Sequence, residues 1–143
     1  MSATLRHSGL PQGISRSNFI HLVAPALKAR GLKTSAIVYL SRAFNNWTRD
    51  QDYEPNRICG FWHSVSNLSS ELTCTQRTVY TIECELDGEY VSKVSKANGG
   101  REGVREQSDR GTLRYLFGIN LAPIIEKAAE LLAEAEAKSR ACP

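Results

Sequence analysis

Residues 64–86 read Ser64-Val65-Ser66-Asn67-Leu68-Ser69-Ser70-Glu71-Leu72-Thr73-Cys74-Thr75-Gln76-Arg77-Thr78-Val79-Tyr80-Thr81-Ile82-Glu83-Cys84-Glu85-Leu86. Val65, Leu68 and Leu72 recur three and four residues apart, which makes one apolar face of a short helix. Val79, Ile82 and Leu86 repeat the pattern on a second helix. The break between them, Leu72-Thr73-Cys74-Thr75, is too short to be a loop of its own. Thr75 is placed to cap the second helix, its hydroxyl accepting an amide hydrogen bond from the first turn. Two short amphipathic helices joined this closely predict a helix-turn-helix, whose second helix is of the kind that enters a major groove.

The next segment sharpens the reading. Glu89 to Lys96 alternates apolar and polar from Val91 onward, the pattern of a half-buried strand, and Asn98-Gly99-Gly100 follows. Asn-Gly supplies the positive φ angles of a tight hairpin. A helix-turn-helix followed by a basic hairpin is a winged helix. The expected fold is therefore α+β and mostly helical, a winged helix-turn-helix with an extra C-terminal helix. Its small antiparallel sheet is expected from residues 58–62, 90–96 and 102–108.

Outward from this centre, residues 1–17 carry Ser, Gly, Arg and Pro11 without a period, which predicts a mobile basic arm. Residues 18–120 form the winged helix-turn-helix domain. Phe19, Val23 and Leu27 share one helical face, with Pro25 inside the run and Gly31 placed to end it. Thr34 or Ser35 is expected to cap a second helix, with a core stripe of Ile37, Leu40, Ala43 or Phe44, and Trp47. Asp50 to Arg57 reads as a polar loop, in which Asp50 and Asp52 are solvated turn residues. Residues 112–119 are apolar and β-prone, adding a strand or running back across the core. Residues 121–143 hold a last helix with Pro123 in its first turn, where a missing N–H costs little. Ile124, Ile125, Ala128, Leu131, Leu132 and Ala135 form its stripe, which predicts packing on its own domain, with dimerisation the weaker alternative. Residues 138–143 are expected to fray.

Composition sets the class. The 143 residues are 41% hydrophobic and 23% charged, ordinary for one soluble domain, and no apolar run approaches a membrane span or a signal peptide. A cytoplasmic protein is the expectation. The four cysteines (Cys59, Cys74, Cys84, Cys142) form no CxxC pair and the three histidines are scattered, so no zinc is expected and the thiols read as buried. The net charge of +3 is uneven. Residues 1–49 contain Arg6, Arg16, Lys28, Arg30, Lys33, Arg42 and Arg49 and no acid, and all fifteen acids lie beyond. Such a bias suits a phosphate partner. No P-loop, His-Glu-x-x-His or nucleophile elbow is present, and neither an enzyme nor a cofactor is expected.

The order of motifs resembles the N-terminal domain of RepC, the replication initiator of RepABC-type plasmids. The resemblance covers roughly residues 18–130. It is carried by Trp47-Thr48-Arg49-Asp50-Gln51-Asp52-Tyr53, by Phe61-Trp62-His63-Ser64, by Asn98-Gly99-Gly100-Arg101 and by Phe117-Gly118-Ile119-Asn120-Leu121-Ala122-Pro123. The last two are similar to the family's Asn-Gly-Lys-Arg and Phe-Gly-Phe-Asp-Leu-Ser-Pro strings. Membership implies a winged helix that binds double-stranded DNA at a plasmid origin, with host replication proteins as further partners. The family's proteins are usually longer, with a second domain beyond this point. The recognition helix here also carries Glu83, Glu85, Asp87 and Glu89 where less acidic residues are common.

For DNA, the candidate contacts are Thr75, Gln76, Arg77, Thr78, Tyr80 and Thr81 on the N-terminal part of the second helix. Arg reads guanine and Gln adenine bidentately. Lys93, Lys96, Arg101 and Arg105 on the wing suit the backbone or the minor groove. The helix's acids lie toward its C-terminal half, away from a duplex. The rival reading is a winged helix used only for protein–protein interaction or transcription regulation, motivated by the acidic second helix and the Ala/Glu-rich last helix.

Overall fold

The computed structural model describes residues 6–107 and 111–141. Helix α1 spans Arg16–Ala29 and α2 Thr34–Arg42, followed by a π-helical turn, Ala43–Trp47, and a 3-10 turn, Asp50–Tyr53. Strand β1 (Gly60–Phe61) leads into α3 (Val65–Leu72) and α4 (Gln76–Leu86). Then come β2 (Ser92–Val94), β3 (Glu102–Arg105), β4 (Leu113–Asn120), α5 (Ala122–Glu126) and α6 (Ala128–Ala141). The fold is α+β and mostly helical, with a small antiparallel sheet of four strands.

The helix–turn–helix geometry follows from its local chemistry. The Ser64 hydroxyl accepts the Asn67 amide at 3.1 Å, and the Thr75 hydroxyl accepts that of Thr78 at 3.1 Å. Each cap is worth about 1 kcal/mol. Between them Thr73 takes a left-handed conformation, φ 54°, and the Cys74 amide returns to the Ser69 carbonyl at 3.0 Å. Leu68, Val79, Ile82 and Leu86 are buried, as their spacing predicts.

The core lies between α1, α2, α4 and α6 and the sheet. Phe19 packs on Phe44, Phe44 on Tyr53, and Trp47 on Tyr39 and Phe61. Trp47 is thus a core anchor. Pro25 sits inside α1 at an exposed position without ending the helix. Ala128, Leu131 and Ala135 are buried where α6 lies against α1, so the last helix packs on its own domain. It comes in two pieces, broken at Lys127, and α6 continues to Ala141 where fraying was expected from 138; residues 142–143 lie outside the described residues. Lys33, rather than Thr34 or Ser35, occupies the N-cap position of α2.

The sheet differs from the expected one. Its centre is β4, which pairs with β1 on one edge and β2 on the other, and also with β3. The strands are shorter than 58–62, 90–96 and 102–108, and Ser108 lies outside the described residues. Both β2 and β3 run antiparallel to β4, at 118–120 and 113–117 respectively, so they point the same way and form no hairpin with each other. The Asn98-Gly99 turn is real, with the Gly99 amide on the Lys96 carbonyl at 2.8 Å. It caps a loop, 95–101, that steps out between two strands of one direction; the strand-to-strand reversal is β3 to β4. Gly60 is required by this packing, because a Cβ there would collide with the Ile119 carbonyl and the Leu116 side chain.

Residues 1–17 were expected as a mobile arm. Residues 1–5 lie outside the described residues, but from Arg6 the segment is docked. His7 is buried and pairs with Arg57, and the Ser8 amide donates to Glu126 at 2.6 Å. The physical reason is a polar anchor of long sequence separation, invisible to periodicity. Asp52 is likewise no solvated turn residue: it is fully buried, held by Arg105.

Candidate nucleic-acid interface

Helix α4 divides cleanly by face. Val79, Ile82, Glu83 and Leu86 point inward, whereas Gln76, Arg77, Tyr80 and Thr81 are exposed, Tyr80 by 50%. No acid occupies its first turn, so the positive end of the helix dipole faces outward uncompensated. Two grooves flank this face. One, between α3, α4 and the 95–101 loop, is lined by Ser64, Ser66, Gln76, Tyr80, Lys93 and Ser95. The other, between the start of α2 and α4, is lined by Lys33, Ser35, Thr75, Arg77, Thr81 and Glu85. The structure therefore brings Thr75, Gln76, Arg77, Thr78, Tyr80 and Thr81 together with Lys93.

The residues expected on the wing are placed differently. Arg101 was expected on the DNA backbone or in the minor groove; its guanidinium meets Glu83 at 2.6 and 3.1 Å and donates to the His63 carbonyl at 3.1 Å. Its side chain is nearly buried. Glu83, one of the acids expected to point away from a duplex, lies wholly inside and also accepts the Tyr39 hydroxyl at 2.7 Å and Lys93 at 3.1 Å. Burial pushes its carboxyl up, but Arg101, Tyr39 and Lys93 together outweigh burial and hold it below the usual carboxylate range.

Arg105 is likewise held inside the fold. Both of its Nη atoms close on Asp52, at 2.8 and 3.0 Å, and it also donates to the Gly111 carbonyl. Its guanidinium lies 5.7 Å from the Trp62 ring centroid, and that ring lies against Gly103, where a Cβ would strike it. A buried carboxylate must be paired, and the nearest arginine is taken for it. Lys96 reaches Glu102 at 3.0 Å, and Glu102, which also accepts the Tyr115 hydroxyl, is held low by Tyr115 and then by Lys96.

The basic bias of residues 1–49 is partly neutralised across the fold, with Arg16 on Asp50 and Arg30 on Glu130 and Glu134. Lys33 enters the sequence reading only in the general basic bias and Ser35 only as a candidate cap; their place beside α4 was not foreseen. They reach it only through the packing of α2 on α4, for which the chain carries no local signal. Cys59 is buried as expected, but Cys84 is exposed on α4. Among the described residues no group of three or more His, Cys, Asp or Glu is arranged to hold a metal, and no helix is long and apolar enough to cross a membrane.

The family model described as Replication protein C N-terminal domain matches residues 2–142. No curated protein and no solved structure matches the chain.

Proposed function

The chain belongs to the replication protein C N-terminal domain family, and from that premise we propose that it is a winged-helix domain that binds double-stranded DNA in plasmid replication initiation. The observation that carries this reading is the outer face of α4. Gln76, Arg77, Tyr80 and Thr81 stand exposed on its N-terminal half, while Glu83 is turned inward and neutralised. An 11-residue helix is about 16 Å long, and its first two turns fit a major groove. Gln76 and Arg77 have the donors and acceptors to read base edges. Lys33, beside Arg77 in the adjoining groove, suits a backbone phosphate. The β3–β4 hairpin serves as the wing, with Arg114 exposed on it. The role is binding; no catalytic step or cofactor is part of it.

Gel-shift titration against random duplex at low and moderate salt tests the reading. Affinity that falls steeply with salt is the expected result, because phosphate binding releases counterions. No shift at either salt would replace it with a protein-binding module.

A further inference from the structure

Helix α4 carries one charged group that the outward-facing residues do not use. Glu83 has a single negative charge, and two cations converge on it. Arg101 engages both carboxylate oxygens, at 2.6 and 3.1 Å, and lies nearly buried. That fork alone neutralises a carboxylate. Lys93 is surplus, yet its Nζ sits 3.1 Å from the same oxygen that Arg101 Nη2 meets. The Lys93 ammonium also lies 5.1 Å from the centroid of the Tyr80 ring, at the wall of the groove that holds Gln76, Ser64 and Ser66. A cation at that wall is one short swing from the outer face of α4.

We propose that Glu83 is a specificity-determining residue that withholds Lys93 and Arg101 from DNA phosphate. The inference rests on the DNA-binding reading above. Phosphate contacts position a protein but carry no sequence information, and each one adds affinity for every duplex alike. By tying both cations to an internal carboxylate, Glu83 lowers the sequence-blind part of the binding. The side chains of α4 that meet base edges then supply a larger share. The tether also explains the acid in the recognition helix. At residue 83 it lies four residues after Val79 and three before Leu86, on the inward stripe, where it reaches the cations from behind.

The test compares Glu83→Gln and Lys93→Gln with the wild-type chain. Gel-shift affinity is measured for a random-sequence duplex and for duplexes selected from a random pool, each across a salt series. Glu83→Gln retains an acceptor for Tyr39 and Arg101 but removes the charge, and circular dichroism checks that it folds. It is expected to bind random duplex about fivefold tighter near 0.15 M salt for each cation released. The salt slope should steepen by about one per cation, and the preference for selected duplexes should fall. Lys93→Gln keeps the Glu83–Arg101 pair and should leave the wild-type salt slope unchanged. If Lys93→Gln flattens the slope by about one, Lys93 already touches phosphate and the inference is overturned, whether or not Glu83→Gln folds. A folded Glu83→Gln that binds all duplexes more weakly with an unchanged slope also overturns it, leaving Glu83 a structural anchor. A wild-type chain that shifts no duplex removes the DNA-binding reading itself, and this inference with it.

Discussion

Arg105 grips Asp52 with two parallel hydrogen bonds, 2.8 Å to Oδ1 and 3.0 Å to Oδ2, and Asp52 is fully buried. The same aspartate accepts the Arg49 amide through Oδ2 at 3.0 Å, and its backbone carbonyl accepts His7 Nε2 at 2.6 Å. One residue thus joins the N-terminal segment, the 3-10 turn and β3. Removing Arg105 leaves a buried carboxylate without its cation, which costs about 3–5 kcal/mol. Arg105→Ala is expected to lower the urea midpoint accordingly, and Arg105→Lys to recover only part, since an ammonium lacks the planar fork. Unchanged stability together with weakened DNA binding would return Arg105 to the DNA face.

Arg77 is exposed on α4 beside Thr81 and Lys33. If it reads a base edge, Arg77→Ala lowers discrimination between preferred and random duplexes by about 1–3 kcal/mol, with the fold intact. Equal losses on both duplexes would make it a phosphate contact.

His7 gives the N-terminal segment a pH dependence. Burial pushes its imidazole below the ordinary value of 6.5, against opposing contributions from the Asp52 carbonyl and the charges of Glu126 and Asp52. The neutral ring donates from Nε2 to the Asp52 carbonyl and accepts the Gly9 amide at Nδ1, 2.9 Å away. Protonating Nδ1 destroys the second bond. A folded-state value below the unfolded one means that docking is fully stabilised above about pH 6.5 and weakens as pH falls through the folded-state value. An NMR titration should give a His7 midpoint below 6.5, with the Gly9 amide signal shifting over the same range. A midpoint above 6.5 would refute the assignment.

Leu131 is fully buried where α6 meets α1. Leu131→Ala should cost about 2–5 kcal/mol in unfolding experiments. Leu131→Glu should yield an unfolded or aggregated chain. A soluble dimer by light scattering that Leu131→Glu converts to a folded monomer would instead place this residue in a seam between two copies.

The helix-turn-helix was legible because everything that makes it is local. Two hydroxyl caps, a three-residue turn and apolar spacings of three and four all lie within 23 residues. The fates of Arg101 and Arg105 were not. Nothing near Arg101 or Arg105 in the chain announces Glu83 or Asp52, and each pair closes across the fold. Glu83 did carry a faint signal: with Val79, Ile82 and Leu86 it falls on the buried stripe, where an acid must have a cation waiting. The expected segments 58–62, 90–96 and 102–108 each hold a strand, but their pairing was hidden for a related reason. Alternation after Val91 and the Asn98-Gly99 turn are local features and describe the loop correctly, but they cannot name the strand that the ladder uses. Residues 112–119 were recognisable as β-prone; that they form the centre of the sheet depends on pairings as distant as Gly60 with Asn120.

That β4 is shared by all the other strands also orders events in time. During synthesis β1, β2 and β3 leave the ribosome before the strand with which each of them pairs. Gly60 waits sixty residues for Asn120. Until then no ladder exists, and the nascent chain holds only what local contacts maintain. The capped pair α3–α4 is such a unit, whereas the β1–β4 and β2–β4 ladders must close longer loops and come late. A stalled chain ending before Leu113 would therefore present α4 without the sheet that braces it.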